Sequence, residues 1–399
     1  MPLRRLRPAR LAAVTVIVLA CALPAAGCGR RGSSPSTATG APVAVGGDAA
    51  GAAEDLGFPL LATKNTVRVA GTDATADAAG VARAVFPASR PAAVALAPAA
   101  DWRAALVASV FMSPPLRAPL LLGAKDDLPA ATRTALTTLR PRGSAAAGGA
   151  QVLRVGGVSR PSGFRIADIQ GRDPFALARA VDATQATARG GTSDRVLVVS
   201  ADDPAYAMPA AAWAAKSGDP ILFTRRDALP ADTRAALSAH AQPRIYVLGP
   251  PPVVSAGVVR ALRSLGTVTR IAGPDPISNA IAFARFTDGR FGWGVVDPGH
   301  GLVLARASAD PAVAGAVAPL SASGTYGPLL LLGSASRLDD ALGRYLLDIQ
   351  PGYTSDPTRG VYNRAWVVGD AKTVTPALQA QIDRLLEIVP VSANPKATP

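Results

Sequence analysis

The phrase LPAATRTAL at 128–136 returns as LPADTRAAL at 229–237, and each copy follows an apolar run, PLLLG from Pro119 and PILFT from Pro220. A third run, Pro328-Leu-Leu-Leu-Leu332, is followed by SRLDDAL, where the phrase has decayed but kept its place. A repeat at roughly a hundred residues constrains a chain of 399 more than any single motif, because each copy must be a supersecondary unit in its own right.

Around these landmarks the same alternation runs three times. The first pass opens with Val67-Arg-Val-Ala-Gly71, then a predicted helix at 73–85, the strand AAVALAP (92–98), a helix at 101–112 and the strand at 119–122. LPAATRTAL starts the next helix with proline in its first turn, where a missing N–H does no harm, and QVLRVGG (151–157) closes the pass. The second pass reads FRIAD (164–168), helix 174–188, RVLVVS (195–200), helix 204–217, PILFT, the LPADTRAAL helix and RIYVLG (244–249), followed by an apolar helical stretch at 253–266. The third opens with Val268-Thr-Arg-Ile-Ala-Gly273 and continues with GLVLA (301–305), a helix near 310–320 and the Pro328 strand. It ends with the helix RLDDALGRYLLDI, the strand RAWVVGD (364–370) and a helix at 374–388.

Short strands that do not alternate with polar residues fit sheets covered on both faces, and strand–helix–strand order fits parallel pairing with right-handed crossovers. The expected fold class is therefore α/β, with modules at 64–160, 161–267 and 268–390 and a tail at 391–399. A single doubly wound domain is the alternative. Hydrophobic residues make up 49% of the chain and charged ones 17%, as a packed body requires.

The N-terminus reads as an address. MPLRRLRPAR carries four arginines and no acid, and LAAVTVIVLACALPAAG follows. Ala25-Ala-Gly-Cys28 resembles a bacterial lipobox, which makes Cys28 the expected lipidated residue after removal of 1–27; Cys21 is a second candidate. Losing Arg4, Arg5, Arg7 and Arg10 lowers the net charge from +13 to +9 (13 − 4). Residues 28–63 have the Gly, Ser, Ala and Pro composition of a tether. Cys21 and Cys28 are the only cysteines, so no disulfide or cysteine zinc site is available to the body.

The ordered motifs resemble the type 2 cell-wall-binding repeat family of bacterial surface proteins. Arg68-Val-Ala-Gly71 and Arg270-Ile-Ala-Gly273 fit the family's opening strand, with Arg165-Ile-Ala-Asp168 a more distant third. The Pro119, Pro220 and Pro328 runs look like its central strand; Val155-Gly-Gly157, Val247-Leu-Gly249 and Val254-Ser255 look like its closing portion, and Asp101-Trp-Arg-Ala-Ala-Leu106 like a helix start. Where the family commonly has Asp-Arg-Tyr-x-Thr-Ala, this chain reads TDATADAA, GRDPFALA and PDPISNAI. The resemblance implies three Rossmann-like (flavodoxin-like) modules in pseudo-threefold arrangement, attached non-covalently to an anionic cell-wall polymer.

A polyanion binder needs spaced cationic donors, and arginine supplies paired donors with a permanent charge. The expected polymer-binding residues are Arg68, Arg165 and Arg270 on the opening strands, with Arg225, Arg226 and Lys125 in loops after the central strands. No catalytic residue, metal site or cofactor is expected. The chain has no P-loop, no Gly-x-Gly-x-x-Gly after a strand and no Gly-x-Ser-x-Gly turn. Asp297 with His300 has no further ligand nearby in sequence, and Asp202-Asp203 reads as a helix start. Nucleic acid is not an expected partner, since aromatic residues for stacking make up only 5%. The expected location is the cell envelope, lipid-anchored on the outer face of the cytoplasmic membrane. The competing function is a solute-binding or transport-accessory lipoprotein, which needs two lobes around one cleft.

Overall fold

The computed structural model describes residues 60–397, apart from residues 309, 325, 326 and 395. The expected signal segment 1–27, Cys28 and all but the end of the 28–63 tether lie outside the described residues. Among the described residues no helix is long and apolar enough to cross a membrane.

Three parallel sheets carry the fold, and each has the same strand order: central, second, closing, opening. The first sheet takes Leu120–Gly123, Val94–Pro98 and Val152–Val155 from the first pass, and the second takes Ile221–Thr224, Arg195–Ser200 and Arg244–Leu248 from the second. The third takes Leu329–Leu332, Gly301–Arg306 and Arg364–Val368. Val94–Pro98 is buried along its whole length, as is each central strand, so these strands are apolar without alternation.

The fourth strand of every sheet comes from another pass. Ile166–Ile169 completes the first sheet and Thr267–Ile271 completes the second. The third sheet is completed by Thr66–Val69, the opening strand of the first pass, paired in parallel with Arg364–Val368 so that Val367 faces Arg68. The sheets are thus offset by one strand from the sequence passes 64–160, 161–267 and 268–390, and the chain's beginning closes the ring. Each opening helix stays with its own pass: Ala74–Val85 packs on Leu120–Gly123, Pro174–Arg189 on Ile221–Thr224, and Pro276–Arg285 on Leu329–Leu332.

The ring closure is tied by polar contacts across more than three hundred residues of chain. Asp383 Oδ1 accepts the Asn65 backbone N–H at 2.8 Å, and Asn65 Nδ2 donates to the Asp383 carbonyl at 3.1 Å. Gln379 accepts from Arg68 Nε at 2.9 Å and donates to Thr66 Oγ1 at 2.9 Å. Leu60–Ala62, read from sequence as the end of a tether, instead pairs antiparallel with Thr66–Val69 and covers that strand's free edge.

At the centre lie the helices that follow the second strands: Trp102–Ala108 with its 3₁₀ extension Ser109–Met112, Pro209–Ser217, and Val313–Ser321. Their sequences are dominated by alanine and small residues because three passes converge there. A Cβ on Gly315 would lie 2.1 Å from the Ala105 carbonyl oxygen, so only glycine allows these two helices to meet backbone to backbone. The architecture is therefore three Rossmann-like modules around shared helices, as the repeats predict.

The repeated phrase has a physical role. Thr132 Oγ1 donates to the Leu122 carbonyl at 2.5 Å and Thr233 Oγ1 to the Phe223 carbonyl at 2.6 Å, each tying the helix back to the central strand before it. Pro129 and Pro230 stand at the N-cap, one position before the first turn expected for them. In the third pass Leu342 takes the threonine's place and is fully buried, so apolar packing replaces the polar tie. Pro276–Arg285, a helix the sequence reading did not anticipate, completes the third pass.

Candidate functional site

The C-terminal ends of the parallel strands, where ligands of open α/β sheets bind, are built by one local device used three times. Two residues past each opening strand come glycine, one residue, then aspartate: Gly71-Thr-Asp73, Gly171-Arg-Asp173 and Gly273-Pro-Asp275. The aspartate caps the following helix: Asp73 accepts from Thr75 and Ala76, Asp173 from Phe175 and Ala176, and Asp275 from Ser278. The glycine is required by closeness. A Cβ there would lie 2.2–2.4 Å from the backbone nitrogen six residues on, in Asp77, Leu177 and Asn279. The chain therefore leaves one sheet and enters the next module's helix within a single tight turn. This Gly-x-Asp spacing recurs in the sequence at all three places and marks the turn without reference to the structure.

In the third sheet this turn lines an open cleft of about 210 Å³ between the second and closing strands, the point where strand order reverses. Asp73, Asp77, Arg306, Asp310 and Thr373 line it. Asp77 is 5% exposed and accepts the Gly71 N–H at 2.7 Å. Burial pushes its carboxyl up to about 7; the Gly71 N–H works against this, and the charges of Asp73 and Asp370 add to it. Arg306 donates through Nη2 to Ser308 Oγ at 2.6 Å, while its Nε is buried without a hydrogen-bond partner.

The predicted cationic residues do not form one surface. Arg68 is 3% exposed and donates to the Gly369 and Asp370 carbonyls, both at 2.8 Å. Arg270 does the same for its own sheet, donating to the Gly249 carbonyl at 2.5 Å and the Val254 carbonyl at 2.7 Å. Burial lowers the pKa of both guanidiniums. These two side chains clasp the loop after the closing strand, which corrects the expectation that they face a polymer.

Arg165 is not their equivalent. Strand register places Asp168 opposite Arg154, where Arg68 faces Val367 and Arg270 faces Val247. In this sheet the guanidinium comes from the neighbouring strand: Arg154 Nε donates to the Val158 carbonyl at 2.7 Å and its Nη1 to Asp168 at 2.5 Å. Arg165 itself is exposed, against Gly143 and Gly149.

The loop cations are exposed, as expected. Arg225 pairs with Asp202 at 3.6 Å and lies over the Phe175 ring at 5.2 Å, and Arg226 pairs with Asp227 at 3.7 Å. Lys125 stands in the exposed turn after its central strand. All three occupy strand C-terminal ends, on two different sheets.

Asp203 stands at the N-cap of Pro204–Ala207, yet its carboxylate accepts from Ser200 Oγ at 2.9 Å rather than capping the helix. Among the described residues the His300 ring pairs with Asp297, at 3.2 Å. Among the described residues no group of three or more His, Cys, Asp and Glu side chains is placed to hold a metal ion.

Residues 168–259, which run from the opening strand of the second pass into the helix after its closing strand, match the family of cell wall binding domain 2 (CWB2). Solved structures that share the fold include the following two. Cwp8 from Clostridium difficile superposes with a TM-score of 0.61 at 19% identity, over 81% of this chain and 52% of that one. Cwp6 from Clostridium difficile does so at 0.61 and 15% identity, over 80% of this chain and 48% of that one. This chain spans about half the length of each. No curated protein matches the sequence.

Proposed function

We propose that this protein is a non-catalytic binding module of the bacterial cell envelope, held to the wall through an anionic polymer. One observation carries the reading. The pass that matches the cell wall binding domain is built in triplicate, with the same strand order and the same Gly-x-Asp turn in each copy. Three weak contacts on one rigid body gain affinity through effective concentration. In this reading the module stands outside the cytoplasmic membrane, with the lipid on Cys28 as its only membrane attachment. The net charge of +9 after loss of residues 1–27 (13 − 4) favours a polyanion, and Arg165, Arg225, Arg226 and Lys125 are the exposed members of the predicted set.

The competing reading, a solute-binding protein, needs two lobes around a cleft; the three sheets here surround shared helices instead. The test is sedimentation of the protein with purified walls, before and after mild acid extraction of their anionic polymers. Binding that disappears on extraction supports the proposal. Equal binding to extracted walls, or none to intact walls at low salt, overturns it.

A further inference from the structure

Three modules in a ring make three junctions at the N-terminal ends of their strands, and the junctions are not filled alike. Between the first and second passes, Gln185 donates to Ser113 Oγ at 2.8 Å, and Asp219 accepts from Ser193 Oγ at 2.6 Å and Trp213 Nε1 at 2.8 Å. Arg189 at this junction donates to the Gly218 carbonyl at 3.0 Å. Beside it His240 and Asp182 form a buried pair at 2.7 Å.

Between the second and third passes, the segment after helix Pro276–Arg285 plugs the gap with rings. Phe291 stacks on Tyr246 with centroids 3.5 Å apart, and Trp293 meets Trp213 edge-on at 5.3 Å. The cation at this junction, Lys216, lies 4.8 Å from the Trp293 ring centroid.

Between the third and first passes the described residues supply no such plug. A groove of about 470 Å³ opens there, with Arg90, Arg117 and Arg142 on its walls and Phe86, Pro115 and Ser323 among its other lining residues. None of the described lining residues carries a carboxylate. The deficit runs through the sequence: residues 78–100, 102–125, 128–167 and 311–338, the four stretches that meet here, contain neither aspartate nor glutamate. The three guanidiniums are exposed, and none enters an ion pair among the described residues. Ser323 Oγ is buried without a hydrogen-bond partner.

The walls are held in place by backbone bonds. The Arg142 N–H donates to the Pro91 carbonyl at 3.1 Å, and the Gly143 N–H to the Ala92 carbonyl at 2.8 Å. Arg90 Nε donates to the Arg140 carbonyl at 2.7 Å. A rigid groove that keeps three like charges together without a counter-charge is shaped for an external anion.

We propose that this third-to-first junction supplies an additional, stronger grip on the polyanion, a glycan bearing phosphate or carboxylate groups. Arg90, Arg117 and Arg142 take the charges, and Phe86 and the prolines receive the sugar faces. The proposal rests on the wall-binding reading above and gives it a location, at the strand ends opposite Lys125, Arg225 and Arg226.

The test uses full-length protein with walls, with the acid-extracted polymer in solution, and with phosphatidylglycerol vesicles. The charge-reversed pair Arg117→Glu/Arg142→Glu is compared with Arg260→Glu/Arg263→Glu, two exposed arginines outside both the groove and the loop cations, and with Arg117→Lys/Arg142→Lys. Expected is a loss of at least about tenfold in affinity for wall and soluble polymer in the first pair, little change in the second, and retained binding in the lysine pair. The exposed arginines hold no core contact, so unchanged thermal melts should accompany the loss; if the glutamate pair melts early, Arg142→Gln alone gives the same reading at smaller amplitude. Wild-type binding to walls that survives the reversal would overturn this inference and leave wall binding standing. No wild-type binding to walls would overturn both. Arginine-dependent binding to vesicles but not to polymer would assign the groove to a membrane surface and overturn the glycan proposal.

Discussion

Gly315 and Ala105 lie on different passes of the repeat, and a methyl group on Gly315 would stand 2.1 Å from the Ala105 carbonyl oxygen. That contact sets how closely the central helices approach, and so the size of the whole ring.

Gly315→Ala should therefore be destabilising although alanine favours helix. Relieving the clash requires two packed helices to separate, at a cost of about 2–3 kcal/mol. Thermal melts should show a clear drop, whereas Gly343→Ala, at a helix position whose added Cβ meets only the Leu338 side chain at 3.4 Å, should not.

Asp77→Asn should raise stability at alkaline pH. The Asp77 carboxyl is pushed up to about 7 from 3.8, so between those values the folded state keeps a proton that the unfolded chain releases. Stability from this group is present below about pH 4 and lost as pH rises through about 7. The amide keeps an acceptor for the Gly71 N–H, as Asn279 does for Gly273 at 3.2 Å in the third pass. Denaturation at pH 8 should show a gain on the order of 2 kcal/mol over wild type, shrinking toward zero near pH 4.

His240 should hold its proton to higher pH than a surface histidine does. Both ring nitrogens face acceptors, the Ser193 carbonyl and Asp182, each at 2.7 Å, which fits the doubly protonated ring. Burial lowers the His240 pKa, but the hydrogen bond and charge of Asp182, with the Ser193 carbonyl, outweigh it and leave the pKa raised above 6.5. The stabilisation is full below about 6.5 and is lost as pH rises through the raised value. The stability difference between wild type and His240→Gln, measured by denaturation, should be larger at pH 6 than at pH 9.

Asp383→Ala should loosen the ring closure. It leaves the buried Asn65 N–H without its acceptor at a cost of about 1–3 kcal/mol. Hydrogen exchange should increase first along Thr66–Val69 and its partner Arg364–Val368, ahead of the first and second sheets.

The alternation of strands and helices was legible because each element is short, apolar and bounded by turns. The offset of the sheets was not: Val67-Arg-Val-Ala-Gly71 has the same form whichever sheet it joins, and its partner strand lies some three hundred residues away. Arg165 was misaligned because FRIA mimics VRVA, whereas register matches Asp168 to Arg68 and Arg270. Gly171, three residues past Asp168 as Gly71 is past Arg68, carried the correct alignment. The junction groove was illegible for another reason. Its arginines come from three separate loops of the first pass and its far wall from the third pass, so no local stretch resembles a site.

The most direct measurement is the affinity of the protein for soluble polymer extracted from walls, taken from low to high salt. The account predicts measurable binding at low salt that weakens steadily as salt rises, and that is lost in Arg117→Glu/Arg142→Glu. Absence of binding at low salt, or binding indifferent to salt, would contradict it.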